Sequence, residues 1–579
     1  LVGTLVEFDD YIAADSLAQE IGMRYNEWNN LRQNKLTEWK ELRNYLYATS
    51  TATTSNKILP WSNTTTTPKL TQLADNLHAN YMASLFPQMN WMRWKPYNSD
   101  SSKKEKVTAV TSYMRDKIDK SGFVATVNQL VYDWITYGNC FAKVEYEDNF
   151  TVKEDGEYTE QYVGPKLVRI SPFDIVFNPT AAEFKRSPKI IRSIITMGEF
   201  KRKSLNDASG KYNEVLDKMH YARAGVRGGG LSYEKSEGYV ADGFGSIEQY
   251  YDSEYVEVLT LYGDIYDAAS QEYKQDRIIS VIDRAYILED IENPSWHGCA
   301  PIHMAGWRKR PDNLYAMGPL DNLVGMQYRI DHLENLKADV FDQIAYPVLK
   351  IRGDVEEFDY APGERIYLGE EGDVSSLVPD ATALNADFQI QTIENKMEEL
   401  AGAPRQAMGI RTPGEKTAFE VQSLDNSSGR MFQHKTSQFE MDFVEQVLND
   451  MLEAARRNIR TEDVIAIVDE ATGAQAFTSI TKEDLVGSGR ITAVGARHFA
   501  ERARRTQMLQ QLMMLKQDPS VGVHLSGKMI AKMLADELGE SELYSENIAV
   551  SEQLETQTAG QNAEVANEEN LMDQAEAGI

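Results

Sequence analysis

The sequence predicts an α+β protein, and three observations carry that reading. Apolar residues recur at helical spacing over long stretches, and short alternating or apolar runs bounded by turn residues interrupt them in the N-terminal half. The third observation is the stretch from Gly318 to Arg460. It reads as a long helix, a short β-rich insertion, a second helix, a Gly/Pro break and a very long helix. With 579 residues, the chain is long enough for several domains and sizeable cores.

Ala14 to about Leu46 is expected to be helical, with Ile21, Tyr25, Trp28, Leu31, Leu36, Trp39, Leu42 and Leu46 near helical spacing. Ala48 to Pro68 is Thr-rich and reads as a loop or extended arm. Leu70 to Leu85 is helical and stops at Phe86-Pro87. Trp91 and Trp94 then flank Arg93; base stacking is one reading, and a packing corner after the helix is the favoured one. Helices follow near Lys103 to Lys120 and Phe123 to Tyr137, and strands near Asn139 to Tyr146, Lys166 to Ile170, Asp174 to Phe177 and Lys189 to Met197. Ala222 to Ile247 is Gly- and Ser-rich and reads as a loop. Tyr255 to Ile265, Arg277 to Val281, Arg284 to Glu289 and Ile302 to Trp307 complete an antiparallel block.

Gly318-Pro319 opens the next helix, where Pro suits a first turn, and Met326, Ile330, Leu333, Val340 and Ile344 give it one apolar seam. Tyr346-Pro347 ends it, because the residue before Pro resists the α region. Short strands and turns fill the insertion, and helix resumes near Phe388 through Leu400. Gly402, Pro404, Gly409, Pro413 and Gly414 forbid one continuous helix. A long helix is expected from Lys416 to about Arg460, strands at Val464 to Val468 and Arg490 to Val494, and helices at Arg497 to Lys516 and from His524 to Leu538. Ser551 to Ile579 carries no basic residue and few large apolar ones; it is expected to be disordered or a loose helix, dispensable for assembly.

The net charge of −29 makes solubility the plain reading of the surface, and contact with a polyanion without holding it the sharper one. Cys140 and Cys299 have no CxxC partner, so two buried, inert thiols in a reducing cytosol are expected rather than a disulfide or zinc site. No apolar run reaches a membrane span, the start has no signal-peptide pattern, and Leu1 is read as lying inside a longer product. There is no P-loop, no dinucleotide fingerprint and no HExxH, and no histidines pair at i, i+4. The acidic pairs Glu356-Glu357, Glu370-Glu371, Glu398-Glu399 and Glu568-Glu569 invite a two-metal reading, as do Asp450, Glu453 and Asp463; solvated surface is the reading adopted for all of them. No catalytic, cofactor or metal residue is assigned, and no enzyme activity is expected.

In this order, several weak motifs together resemble the portal, or head-to-tail connector, protein of short-tailed bacteriophages. They are Leu85-Phe86-Pro87 before Trp91-Met92-Arg93, Tyr137-Gly138-Asn139 entering a strand, Val163-Gly164-Pro165, and Ser171-Pro172-Phe173-Asp174. Gly306-Trp307 to Gly318-Pro319 and Lys416-Thr417-Ala418-Phe419-Glu420-Val421 continue the series. The resemblance spans about Trp61 to Met514, and the Gly-rich stretch near Gly228 departs from it. It implies a portal fold: residues 1–316 as the N-terminal wing region, 317–345 and 387–402 as paired stem helices, and 346–386 as a β-containing clip. Residues 403–416 would be the tunnel loop, 417–517 the long wing helix and wing strands, and 518–579 a helical crown with an acidic tail.

The resemblance further implies a homo-oligomeric ring, usually of twelve subunits, at one capsid vertex of the virion, assembled in the host cytoplasm. Its partners would be the major capsid protein, scaffolding protein, the terminase large subunit, a tail adaptor and the double-stranded DNA passing through; no membrane and no cofactor are implied. Glu356, Glu357, Glu370 and Glu371 of the clip are the expected docking residues. Arg405, Gln406, Arg411 and Lys416 of the tunnel loop would touch DNA phosphates, and Met408 and Ile410 would form an apolar collar. Ordinary loop solubility is the alternative for Arg405, Arg411 and Lys416. A ring multiplies each basic side chain by the subunit number, so a few suffice in a net acidic channel through which DNA must slide. The other readings are a tail or baseplate assembly protein and, behind it, a metal-dependent nucleic-acid hydrolase.

Overall fold

The structure is a computed structural model. It describes residues 6–7, 14–47, 63–86, 91–97, 104–152, 158–206, 210–216, 255–266, 273–358, 365–378, 380–401, 431–459, 462–468, 475–485, 488–493, 508–509 and 533. The chain forms two compact units. One comprises Leu1–Asp463 and Ile480–Gly495, and the other Val464–Ser479 and Ala496–Ile579. In the second, the described residues are chiefly the paired strands β15 (Glu462–Val468) and β16 (Gln475–Thr481), which reach slightly across its boundaries. The Gly-rich 222–247 stretch, the helices expected beyond 497, the 551–579 tail and the whole 403–416 loop lie outside the described residues.

The first unit is a mixed α+β body with several small, mostly antiparallel sheets. The expected N-terminal helical stretch is present as two helices, α1 (Ala14–Leu31) and α2 (Gln33–Tyr47), with Leu31 exposed at the end of the first. Arg32 sits at the break, and its buried guanidinium donates to the carbonyls of Pro172 (2.7 Å), Phe173 (2.6 Å) and Ile175 (2.7 Å). Periodicity could not reveal the break, because the apolar positions continue on both sides of it.

On α1, Leu17, Ile21, Tyr25 and Trp28 recur at helical spacing and pack on the largest sheet through Val176, Leu259, Leu261 and Val281. That sheet orders β5 (Ile175–Phe177), β6 (Lys189–Thr196), β7 (Tyr255–Tyr266), β8 (Tyr273–Ile282) and β9 (Tyr286–Glu292) as antiparallel neighbours. A two-residue strand, β1 (Val6–Glu7), pairs parallel with β7.

A second sheet orders β10 (Ile302–Gly306), β3 (Asn139–Val152) and β4 (Tyr158–Ile170). Its core joins Leu36 and Trp39 of α2 to Phe141, Phe173, Phe177 and Tyr315. Trp39 meets Tyr137, Phe173 and Tyr315 edge-on at 5.5–6.0 Å between ring centres. Helices α3 (Lys69–Leu85), α4 (Lys104–Ser121) and α5 (Phe123–Tyr137) complete this half. Gly138 ends α5 with φ 72°, and a Cβ there would lie 2.4 Å from the Gly318 nitrogen, so this turn needs glycine.

Strand β2 (Met92–Pro96) pairs antiparallel with β17 (Gly489–Ala493), nearly 400 residues downstream. Trp91 and Trp94 are buried there, Trp91 stacked 5.8 Å from Phe123, as the packing reading required. Cys140 and Cys299 are both buried and free. A short helix, α6 (Met197–Asn206), follows β6.

Over residues 431–458 the expected long helix is present, interrupted by one π-helical stretch, Glu440–Val444, before Glu445–Asn458. Its residues 416–430 lie outside the described residues. The reading of Asp450 and Glu453 as helix surface needs correction: both are buried. Asp450 accepts from Nδ1 of His297 (2.8 Å) and Nε2 of His303 (2.7 Å), while Glu453 accepts the Trp296 N–H (3.0 Å). These acids pin the 293–303 loop to the helix. Two histidines six residues apart converge on one carboxylate because a loop, not a helix, carries the first.

This cluster makes stability depend on pH. The hydrogen bond to Asp450 raises the His297 pKa despite partial burial. Burial opposes ionisation of Asp450, but the bonds from the two histidines outweigh it and hold the carboxyl well below the usual range. A raised histidine pKa gives stability that is fully present below the unfolded value of 6.5 and is lost as pH rises through the folded value. The melting temperature is therefore expected to fall as pH rises above about 6.5, and thermal melts of Asp450→Asn should show that slope flattened. An unchanged slope in the variant would assign the dependence to other groups.

Candidate assembly site

Helix α7 (Val324–Ala345) begins later than Gly318-Pro319 suggested. Residues 318–323 form turns instead, because Asp321 accepts the Gly318 N–H (3.1 Å) and the ammonium of buried Lys35 (2.6 Å). Tyr346, before Pro347, ends α7 and bonds back to the Asp342 carbonyl. The pair β11 (Arg308–Arg310) and β12 (Asn313–Met317) precedes α7, and after it the chain makes the antiparallel pair β13 (Val348–Arg352) and β14 (Asp373–Leu377), in register from Val348 opposite Leu377 to Arg352 opposite Asp373. Gly353 leaves β13 with φ 78°, and a Cβ there would lie 2.2 Å from the Glu371 carbonyl oxygen. After a 3-10 turn at Ala381–Ala386, α8 (Asp387–Ala401) returns.

Buried polar pins tie this helix–hairpin–helix to the body. Lys69 of α3 reaches Glu398 of α8 at 2.7 Å, both side chains at most a tenth exposed. Glu398 is thus no solvated face, contrary to the sequence expectation, and Lys69 was not singled out at all. Within the hairpin itself, Lys337 of α7 pairs with the exposed Asp387 of α8. Apolar burial is confined to one side of each helix, at Ile330, Leu333 and Val340 on α7 and Ile390, Met397 and Ala401 on α8.

Many apolar side chains of the hairpin are exposed among the described residues. More than half of the exposed large hydrophobic side chains among the described residues fall between positions 328 and 400. Phe341 is 63% exposed, Tyr346 77%, Val348 67% and Phe388 79%. Exposed apolar side chains concentrated in one segment are characteristic of contact faces. Sequence inspection placed these residues in helices and strands but could not tell that none of the described residues covers them.

All four clip glutamates are exposed. Glu370 and Glu371 lie in the turn where Gly369 donates to the Asp354 carbonyl (3.0 Å), and Glu356 bonds through its backbone N–H to Tyr367. The fold therefore gathers both acidic pairs on the same turn-rich part of the hairpin. Arg405, Gln406, Met408, Ile410, Arg411 and Lys416 lie outside the described residues. Among the described residues, no group of three or more His, Cys, Asp or Glu side chains could hold a metal ion, and no helix is long and apolar enough to cross a membrane.

Among curated proteins, nothing matches this chain. One family model does match, over residues 18–158, from α1 to the first residue of β4. The hairpin lies outside that stretch. The family's description names a connecting role and no reaction. Residues 18–158 of this chain thus match the bacteriophage head to tail connecting protein family, whose name describes a component joining the head and tail of a phage particle.

Proposed function

We propose that the chain is a portal-type connector of a short-tailed phage, forming a ring of twelve subunits set at one capsid vertex. The observation that carries this reading is the set of exposed apolar side chains on the helix–hairpin–helix, which neighbouring copies would bury. The exposed acids Glu356, Glu357, Glu370 and Glu371 would meet the terminase large subunit during packaging and a tail adaptor afterwards. The wing would contact the major capsid protein, with scaffolding protein guiding assembly. Residues 403–416 leave α8 shortly after Ala401, and would line the bore traversed by double-stranded DNA.

Mass photometry and class-averaged electron micrographs of the purified chain, with and without scaffolding protein, test the reading. Closed rings with an axial bore of DNA width are expected; a monomer at every concentration and salt, even with scaffold, would end it. Replacing 403–416 by a Gly-Ser linker should leave rings that still bind the motor but package or retain DNA poorly. Normal packaging and retention by that variant would remove the channel role from Arg405, Gln406, Met408, Ile410, Arg411 and Lys416.

A further inference from the structure

Residues 63–68 form a non-helical strap immediately before α3, and they lie along α7. Four side chains of α7 meet it at steps of four: Gln327, Asp331, Asn335 and Asp339. The Asn63 N–H donates to Asp339 Oδ1 (2.5 Å), the Thr65 N–H to Asn335 Oδ1 (2.7 Å) and the Thr67 N–H to Asp331 Oδ1 (3.0 Å). Asn335 Nδ2 returns a bond to the Thr65 carbonyl (3.0 Å), and Gln327 Nε2 one to the Thr67 carbonyl (2.5 Å). Gln327 Oε1 also accepts the Leu70 N–H (3.1 Å), closing the series where α3 begins.

The two repeats fit each other. Four helical residues rise about 6.0 Å, and two extended residues about 6.6 Å. One rung per helical turn therefore meets every second strap residue, with the strap running antiparallel to α7. Nearly every bond goes to strap backbone. Asn63 is the exception among the rungs: its side chain also donates to Asp339 (3.0 Å) and Asp342 (2.8 Å), which sets the register.

At about 100° per residue, the rungs lie on the side of α7 opposite its apolar seam of Ile330, Leu333, Val340 and Ile344. The seam carries the buried Ile330, Leu333 and Val340, and the rungs would otherwise be an ordinary wet helix face. A polar face of that kind needs no cover for solubility. Its covering by a backbone-reading ladder calls for another purpose.

We infer that the stripe Gln327, Asp331, Asn335 and Asp339 is a binding site for extended polypeptide backbone, filled by the chain's own strap, and that this engagement fixes α7 to the body. It holds whatever the subunit number or the partners of the hairpin. Because the site reads backbone, the strap's exposed side chains are interchangeable while its N–H groups are not. Thr65 is exposed, which makes it the position to test.

Hydrogen exchange followed by mass spectrometry on the full chain separates the possibilities. Thr65→Pro removes one N–H donor, and Asn335→Ala removes its acceptor. Each should speed exchange of amides in 63–70 and of the 335–344 part of α7 by at least tenfold, with β3 and β4 unchanged. Thr65→Val, which keeps the N–H, should match the parent chain. The inference is overturned if Thr65→Val exchanges as fast as Thr65→Pro, if Asn335→Ala leaves the strap protected, or if the strap opens while α7 does not. Loss of protection in β3 and β4 alongside the strap would also overturn it, by making the ladder part of global folding rather than a local lock.

Discussion

Arg32→Met is expected to destabilise the subunit by about 3–5 kcal/mol, because several hydrogen bonds from one buried charged donor are lost together. The guanidinium is 2% exposed and donates to three carbonyls in the 172–175 turn, as well as to Asn29 Oδ1 (3.0 Å). Hydrogen bonds from a charged donor contribute about 1.5–3 kcal/mol each, and carbonyls left unpaired in the interior add a desolvation penalty. The same turn presents Phe173 to Trp39 and leads into β5 of the main sheet, so its loosening spreads into two cores. Met restores much of the side-chain volume, which limits the loss to the polar network. Arg32→Lys should recover only part, since a single ammonium cannot reproduce a planar fork aimed at three oxygens. Thermal and urea unfolding check this; a variant within 1 kcal/mol of the parent would show that water replaces the guanidinium.

Phe341→Glu combined with Phe388→Glu is expected to abolish self-association while leaving the subunit folded. Both rings are already largely exposed, at 63% and 79%, so the isolated fold loses little. In an assembly that buries them, each ring would contribute about 1.5–3 kcal/mol, and the pair about 3–6 kcal/mol per interface. That corresponds to roughly two to four decades in each association constant, before the cost of burying two carboxylates. Mass photometry against an unchanged thermal melt is the measurement. Rings that persist with parental stability would move the assembly face off these helices.

The helical seams and the β-rich insertion were legible because periodicity and backbone restriction are local properties. Ile330, Leu333 and Val340 announce their helix face, and Tyr346-Pro347 announces its end, without reference to any distant residue. The mixed α+β class and the buried fate of Trp91, Trp94, Cys140 and Cys299 were legible for the same reason. Tertiary structure alone decided the rest. It split the N-terminal helical stretch at Arg32, because carbonyls some 140 residues away demand that guanidinium. It turned Asp450, Glu453 and Glu398 from expected surface into buried pins, because a charge is stable inside only where a distant partner arrives to meet it. It left Phe341, Tyr346 and Phe388 in water, since sequence shows which residues are apolar but not what comes to cover them. The rungs Gln327, Asp331, Asn335 and Asp339 stood in plain four-residue spacing, yet their meaning depended on a strap more than 250 residues earlier in the chain. Local pattern determines what an element is; which polar groups are paired, and which apolar faces stay open, depends on contacts the chain closes only by folding.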